Sequence, residues 1–149
     1  MRAVVQRVSH AAVSVGDDCV GHIDVGLAVL LGVEQGDDLQ DVEYLVAKTI
    51  GLRIFEDGNG KMNLSVCEVG GSVLAISQFT LFGDVRRGKR PSFTQAAPPE
   101  IANRLYEQYC LDVRSHGITV ATGRFQADMQ VSLTNDGPVT ILLDSRRLF

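Results

Sequence analysis

Cysteine is scarce in this chain and badly placed for cross-linking. Cys19, Cys67 and Cys110 are its only three, far apart and without a C-x-x-C spacing. That excludes a disulfide scaffold and points to free thiols in a reducing compartment. Histidine is equally rare: His10, His22 and His116 complete the set. No metal-ligand spacing exists, so neither a zinc site nor any other metal or cofactor is expected, and a Ser-His-Asp triad is disfavoured. Long hydrophobic runs are missing too. The longest, Val25 to Val33, is interrupted by Gly26 and Gly32 and falls far short of a membrane span. Arg2 and Arg7 break up the N-terminal segment, which therefore does not read as a signal peptide. Positive charge is not in excess either, since 14 Lys and Arg against 18 Asp and Glu leave a formal net charge of -4. Wholesale coating of nucleic acid is excluded, and any RNA contact must come from a local patch. Together these absences predict a cytoplasmic protein with no membrane partner.

What is present has the proportions of an ordinary globule. With 149 residues, 45% of them hydrophobic, and no repeat or linker, residues 1–149 read as a single domain. A chain of that size buries about two-thirds of its unfolded surface. Arg2 to Val8 and Ala11 to Val15 are strand-like, and Gly16-Asp17-Asp18 turns the chain into Cys19 to Ile23. Leu27 to Val33 reads as a buried strand. Asp37 is placed to cap a helix with Gln40 completing a capping box. Leu39, Val42, Leu45, Val46, Thr49 and Ile50 then recur at helical spacing as far as Gly51. After a turn cluster at Phe55 to Lys61 and a short strand at Met62 to Leu64, Pro98-Pro99 opens a second helix. Its stripe is Ile101, Leu105, Tyr106, Tyr109, Cys110 and Val113, and Gly117 closes it. Ile118 to Val120, Ala127 to Leu133 and Val139 to Asp144 are the last strands. The pattern predicts an α+β fold, a mixed β-sheet curled toward a barrel with two packed helices.

The stretch that organises the chain is Val73 to Gly83. Val73 to Ile76 is an apolar run suited to a strand covered on both faces. Ser77, Gln78 and Thr80 follow, with Phe79 between them, and buried polar side chains need partners. They predict a polar pocket at the strand end, or an amphipathic strand whose hydroxyls bond nearby backbone. Gly137-Pro138 lies between two strand-like runs, where proline marks an edge or a hairpin tip. Arg7 stands in a strand of valines and reads by itself as a rim charge with its stem along the sheet. Arg86, Arg87, Lys89 and Arg90 concentrate basic charge within five positions. They form either a solvated loop or a phosphate-binding patch.

Ser77-Gln78-Phe79-Thr80-Leu81, followed by Asn135-Asp136-Gly137-Pro138-Val139-Thr140, resembles the motif pair of the D-aminoacyl-tRNA deacylases. Met1 to Val8 and Arg86 to Phe93 match that family as well, so the resemblance spans essentially the whole chain. It implies a homodimeric hydrolase that cleaves the ester of D-aminoacyl-tRNA, with glycine on a non-cognate tRNA as a second substrate. It implies that Gly137-Pro138 is cis and enters the active site of the other subunit, rejecting L-substrates by clash. Arg7 would donate to the Gly-Pro carbonyls, and Gln78 would orient the ester or the ribose. Ser77, Phe125 and Met129 would line the pocket, although simple core packing accounts equally for the last two. Thr80 is either a nucleophile or only a hydrogen-bonding group. A hydroxyl without a base is a weak nucleophile, which favours attack by water assisted by the ribose 2′-OH. The backbone N–H groups of Phe79 and Thr80 would then hold the oxyanion. A non-catalytic nucleic-acid-binding module using the basic loop is the rival reading.

Overall fold

The computed structural model describes residues 1–149. Its spine is β1, Arg2–Val15, which is a single strand where the sequence suggested two. The N-terminal part of β1 pairs antiparallel with β3, Gly26–Gly32, and its later part with β2, Asp18–Ile23. Strand β6, Ser72–Ser77, lies parallel to β3 on one side and to β7, Val120–Thr122, on the other. The sheet order is β2-β1-β3-β6-β7. A small hairpin of β4, Phe55–Glu56, and β5, Met62–Leu64, stands apart. The main sheet curls until its outer strands meet: a Cβ on Gly21 would lie 2.6 Å from the Thr122 carbonyl oxygen, so only glycine fits there.

Alternation along the strands divides the interior in two. Ala3, Val5, Leu27, Val29, Leu31, Val73 and Ala75 face the two helices. Val8, Ala11, Val13, Ala28, Leu74 and Ile76 fill the inside of the curl. Helix α1, Leu39–Gly51, buries Val42, Leu45, Val46 and Thr49, and α2, Pro99–Ser115, buries Ala102, Leu105, Tyr106, Tyr109, Cys110 and Val113. Leu39 and Ile101, expected in these stripes, are exposed. Two buried phenols join the layers: Tyr109 donates to the Thr49 hydroxyl (3.0 Å) and Tyr106 to the Ala75 carbonyl (2.8 Å). Burial pushes the Cys110 thiol up to about 11, so it stays protonated and unreactive near neutral pH.

Two local expectations fail, each for a longer-range reason. The cap of α1 is Asp38, which accepts from Gln40 while Asp41 closes the capping box. Asp37 is buried instead and pairs with the Met1 ammonium at 2.8 Å. Gly137-Pro138 is not a hairpin tip. The last strand, β8, Gln130–Asp144, runs through it without reversing, and both halves pair antiparallel with β1. The predicted strand starts at Ile118 and Ala127 move later, to Val120 and Gln130.

Candidate active site

The site forms where β6 leaves the sheet. Val73, Leu74, Ala75 and Ile76 are fully buried. At the next positions the chain turns outward, and the Gln78 N–H donates to the Leu31 carbonyl (2.8 Å). Phe79–Phe82 then form a 3₁₀ turn. A side chain at Gly32 would press on the Phe82 ring (3.0 Å) and the Gln78 carbonyl (3.1 Å), so glycine lets the turn lie directly on β3. The ladder of the turn begins with the Leu81 N–H bonding to the Gln78 carbonyl. The amides of Phe79 and Thr80 precede it and find no acceptor within the turn.

Beside this turn lies a groove of about 840 Å³. Ser77, Gln78 and Phe79 form one wall, Phe93, Thr94 and Ala96 to Pro99 another, and Phe125 to Met129 the third. Phe79 leaves 56% of its surface open, a large aromatic area at the mouth of a cavity. It is steadied edge-on by Phe93, with ring centroids 5.1 Å apart. The Gln78 side-chain amide donates to the Thr80 hydroxyl. Phe125 and Met129 are placed both at the groove and against the core. Each lines the groove, while Phe125 packs on the helix-side core and Met129 on the interior of the curl.

Thr80 is exposed and lies just outside this groove, and Gly137, Pro138 and Arg7 do not line it either. Between the pairs Gln6↔Thr140 and Val8↔Asn135, the four residues Asp136 to Val139 stand opposite Arg7 alone, so β8 bulges outward. The Asn135 side chain closes the base of the bulge. It accepts from the Val139 N–H (2.7 Å) and donates to the Val139 carbonyl (3.1 Å), replacing lost ladder bonds. The Gly137-Pro138 peptide is cis, and Gly137 has φ +135°, a backbone that side chains rarely adopt. A Cβ there would meet Val139 at 2.7 Å and the Arg7 guanidinium at 3.0 Å. Arg7 is no rim charge: it is only 5% exposed. Its hydrogen-bond acceptors are not the Gly137 and Pro138 carbonyls but those of Asp136 (2.9 Å) and Ile54 (2.5 Å). The reason lies in the register. Arg7 sits under the start of the bulge, and its guanidinium fork spans from there to the segment after α1.

The basic loop is closed at its base by paired backbone bonds between Asp84 and Ser92 (2.8 and 2.9 Å). Arg86 does not offer a free charge, because its guanidinium grips both oxygens of Asp84 (2.9 and 2.7 Å). That grip holds the Asp84 carboxyl down to about 2. Arg87, Lys89 and Arg90 remain exposed without an acidic partner. No group of three or more His, Cys, Asp or Glu side chains could hold a metal ion, and no helix is long and apolar enough to cross a membrane.

Two wall elements were not anticipated. Phe93 to Ala97 is zipped to the segment just after β3, with Ala97 N–H to Val33 carbonyl and Gln35 N–H to Gln95 carbonyl (both 2.9 Å). Gln126 lines the groove at φ +62°, an uncommon conformation for a long side chain. Nothing in its local sequence signals that conformation, whereas Phe93 could have been found from its place at the end of the basic loop.

A profile of the D-Tyr-tRNA(Tyr) deacylase family matches residues 4–144. Proteins named D-aminoacyl-tRNA deacylase from Anaeromyxobacter dehalogenans and Clostridioides difficile are 62% and 56% identical to this chain, covering all of both sequences in each case. Among solved structures, that of a c-Myc DNA Unwinding Element Binding Protein superposes with a TM-score of 0.91 at 40% identity, covering 97% of this chain and 98% of its own. A probable eukaryotic D-amino acid tRNA deacylase shares the fold at a TM-score of 0.79 and 18% identity, covering 95% of this chain and 97% of that one.

Proposed function

The chain belongs to the D-aminoacyl-tRNA deacylase family, and from that premise we propose that it hydrolyses the ester joining a D-amino acid to the terminal ribose of tRNA. The products are free tRNA and the D-amino acid. The observation that carries this reading is the groove at the end of β6. Two amides without acceptors inside their own turn stand at its edge, Phe79 on the wall and Thr80 just beyond it, beside an exposed aromatic ring. A carbonyl oxygen set against those amides gains charge as water attacks, and one such donor is typically worth about 10²–10³ in rate.

Water, activated by the neighbouring 2′-OH, is the proposed nucleophile. The Thr80 oxygen accepts from Gln78, and none of His10, His22 or His116 is hydrogen-bonded to it to take its proton. A hydroxyl in that state is not activated. Thr80→Ala is therefore expected to keep substantial activity, while a terminal 2′-deoxyadenosine abolishes it. Loss of all hydrolysis in Thr80→Ala with substrate still bound would reverse the assignment.

Chirality is proposed to be judged by the Gly137-Pro138 main chain of a second subunit, and a wall acting by clash tolerates glycine as well as D-residues. Two observations support a composite site. The bulge is exposed and absent from its own subunit's groove, and the outer edge of β8 pairs with nothing. An open edge of that length calls for a cover. Arg87, Lys89 and Arg90 are assigned to tRNA phosphates, and the enzyme acts in the cytoplasm on aminoacyl-tRNA.

The protein of the 40%-identical structure is named for binding DNA, which together with the basic loop favours nucleic-acid binding without catalysis as the second reading. Deacylation of D-, L- and glycyl-tRNA separates the two. Release of D-residues and glycine with L-esters spared is the expected result. Binding without release of any amino acid would leave only the second.

A further inference from the structure

We propose that Arg2 is a positioning residue for the hydrolytic turn, acting through Leu81 and Phe82 on the amides of Phe79 and Thr80. The inference rests on the functional reading above for its consequence, though not for its geometry. Arg2 opens β1 directly opposite Asp144, its register partner at the end of β8. Its Nε donates to Asp144 Oδ2 at 2.9 Å, within an ion pair whose carboxylate is almost fully buried. The far side of the same guanidinium reaches the turn. Nη1 donates to the Leu81 carbonyl (3.3 Å), and the guanidinium carbon lies 4.7 Å from the centre of the Phe82 ring. A planar cation is suited to this double task, bonding at its edge while stacking on an aromatic face.

The turn is thereby held at both ends. The Gln78 N–H to Leu31 carbonyl bond fixes the front, and Arg2 together with the buried Phe82 fixes the back. Phe79 and Thr80 lie between these anchors, and the remaining bond from the Gly83 N–H to the Thr80 carbonyl is internal to the turn. Asp144 orients Arg2 without touching the groove. Two segments remote in sequence, the first strand and the last, thus meet at a single side chain that aims the proposed oxyanion donors.

Displacement of reacting groups by about 1 Å costs on the order of 10²-fold in rate, so partial loosening of the turn is expected to cost about tenfold. The test compares Arg2→Ala, Arg2→Lys and Asp144→Asn in the full-length protein. The readouts are single-turnover deacylation of D-aminoacyl-tRNA and the ¹⁵N–¹H resonances of Phe79, Thr80 and Gly83. The expected result is a lower rate of the chemical step in Arg2→Ala with KM little changed, and displaced amide resonances at those positions. Arg2→Lys, which carries the charge but not the fork, should recover only part of both and covers the case in which the alanine variant fails to fold. Unmoved resonances, or a rate equal to wild type in a folded Arg2 variant, would overturn the proposal. If the wild-type protein were inert toward D-aminoacyl-tRNA, the functional reading would fail, while the resonances would still decide whether Arg2 holds the turn.

Discussion

Arg7 offers the sharpest test of how the bulge in β8 is held. Truncation to alanine removes two charge-assisted hydrogen bonds, to the carbonyls of Ile54 and Asp136. Bonds of this kind contribute roughly 1.5–3 kcal/mol each, and a buried acceptor left alone also keeps its desolvation cost. The Ile54 end belongs in the upper part of that range because Ile54 is only 7% exposed. The Asp136 end belongs near the bottom, since water reaches the surface bulge. The Asp136 carboxylate, 3.7 Å away and 63% exposed, adds little. The total is about 4 kcal/mol, which for a domain of this size lowers Tm by roughly 10 °C. The guanidinium also lies 3.0 Å from where a Cβ of Gly137 would be, so its loss removes the neighbour against which the bulge packs at Gly137. The ratio of D- to L-ester hydrolysis should fall at least tenfold, or about 1.4 kcal/mol of discrimination. Thermal unfolding and single-turnover deacylation of both esters measure the two effects, and Arg7→Lys should fall between wild type and alanine in each. A Tm within a degree or two of wild type would refute the account of Arg7 as a buried clamp. A destabilised variant with its D/L ratio intact would show instead that the bulge does not judge handedness.

Two further outcomes follow from the same geometry. Neutralising Arg87 and Lys89 should weaken tRNA binding and reduce the slope of log K against log salt by about 1.5, at roughly 0.7–0.9 per phosphate contact; cleavage of a minimal aminoacyl-adenosine should hardly change, and equal losses on both substrates would count against the loop. Mixing subunits that carry a disabled 78–80 turn with subunits that carry an altered Gly137 should restore chiral discrimination in the mixed dimer, because its one working turn would face an intact bulge; a D/L ratio no better than that of the Gly137 variant alone would place both parts of the site in one subunit.

Periodicity made much of this architecture legible. The stripes of α1 and α2 and the buried run before Ser77 follow from side-chain spacing, and they led to an α+β domain with a curled sheet. What could not be read locally depends on partners distant in the chain. Asp37 and Asp38 are equally good caps by composition, and the choice is made by the Met1 ammonium, which claims Asp37. A Gly-Pro between two strand-like runs reads the same for a hairpin tip and for a bulge. Only the length of β1, long enough to pair with both halves of β8, decides for the bulge. The basic loop looked like four equivalent cations until the Asp84 carboxylate, two residues before Arg86, took one of them.

The two motifs, some 60 residues apart in sequence, attach to the same strand through its two arginines. Arg2 holds the turn after β6 and Arg7 holds the start of the bulge. Five residues of extended strand separate their Cα atoms by about 17 Å. A strand is stiff over that distance, so neither motif can swing toward the other without breaking the pairing of β1 with β3 and β8. The element that fixes each half of the proposed site therefore also keeps the halves apart within one copy. Rejection of an L-residue by a rigid wall requires that wall to lie within contact distance of the ester. A second copy, docked along the open edge of β8, can bring it there without unfolding anything. On the proposed reading, hydrolysis is aligned within one subunit, while selection by handedness requires the pair.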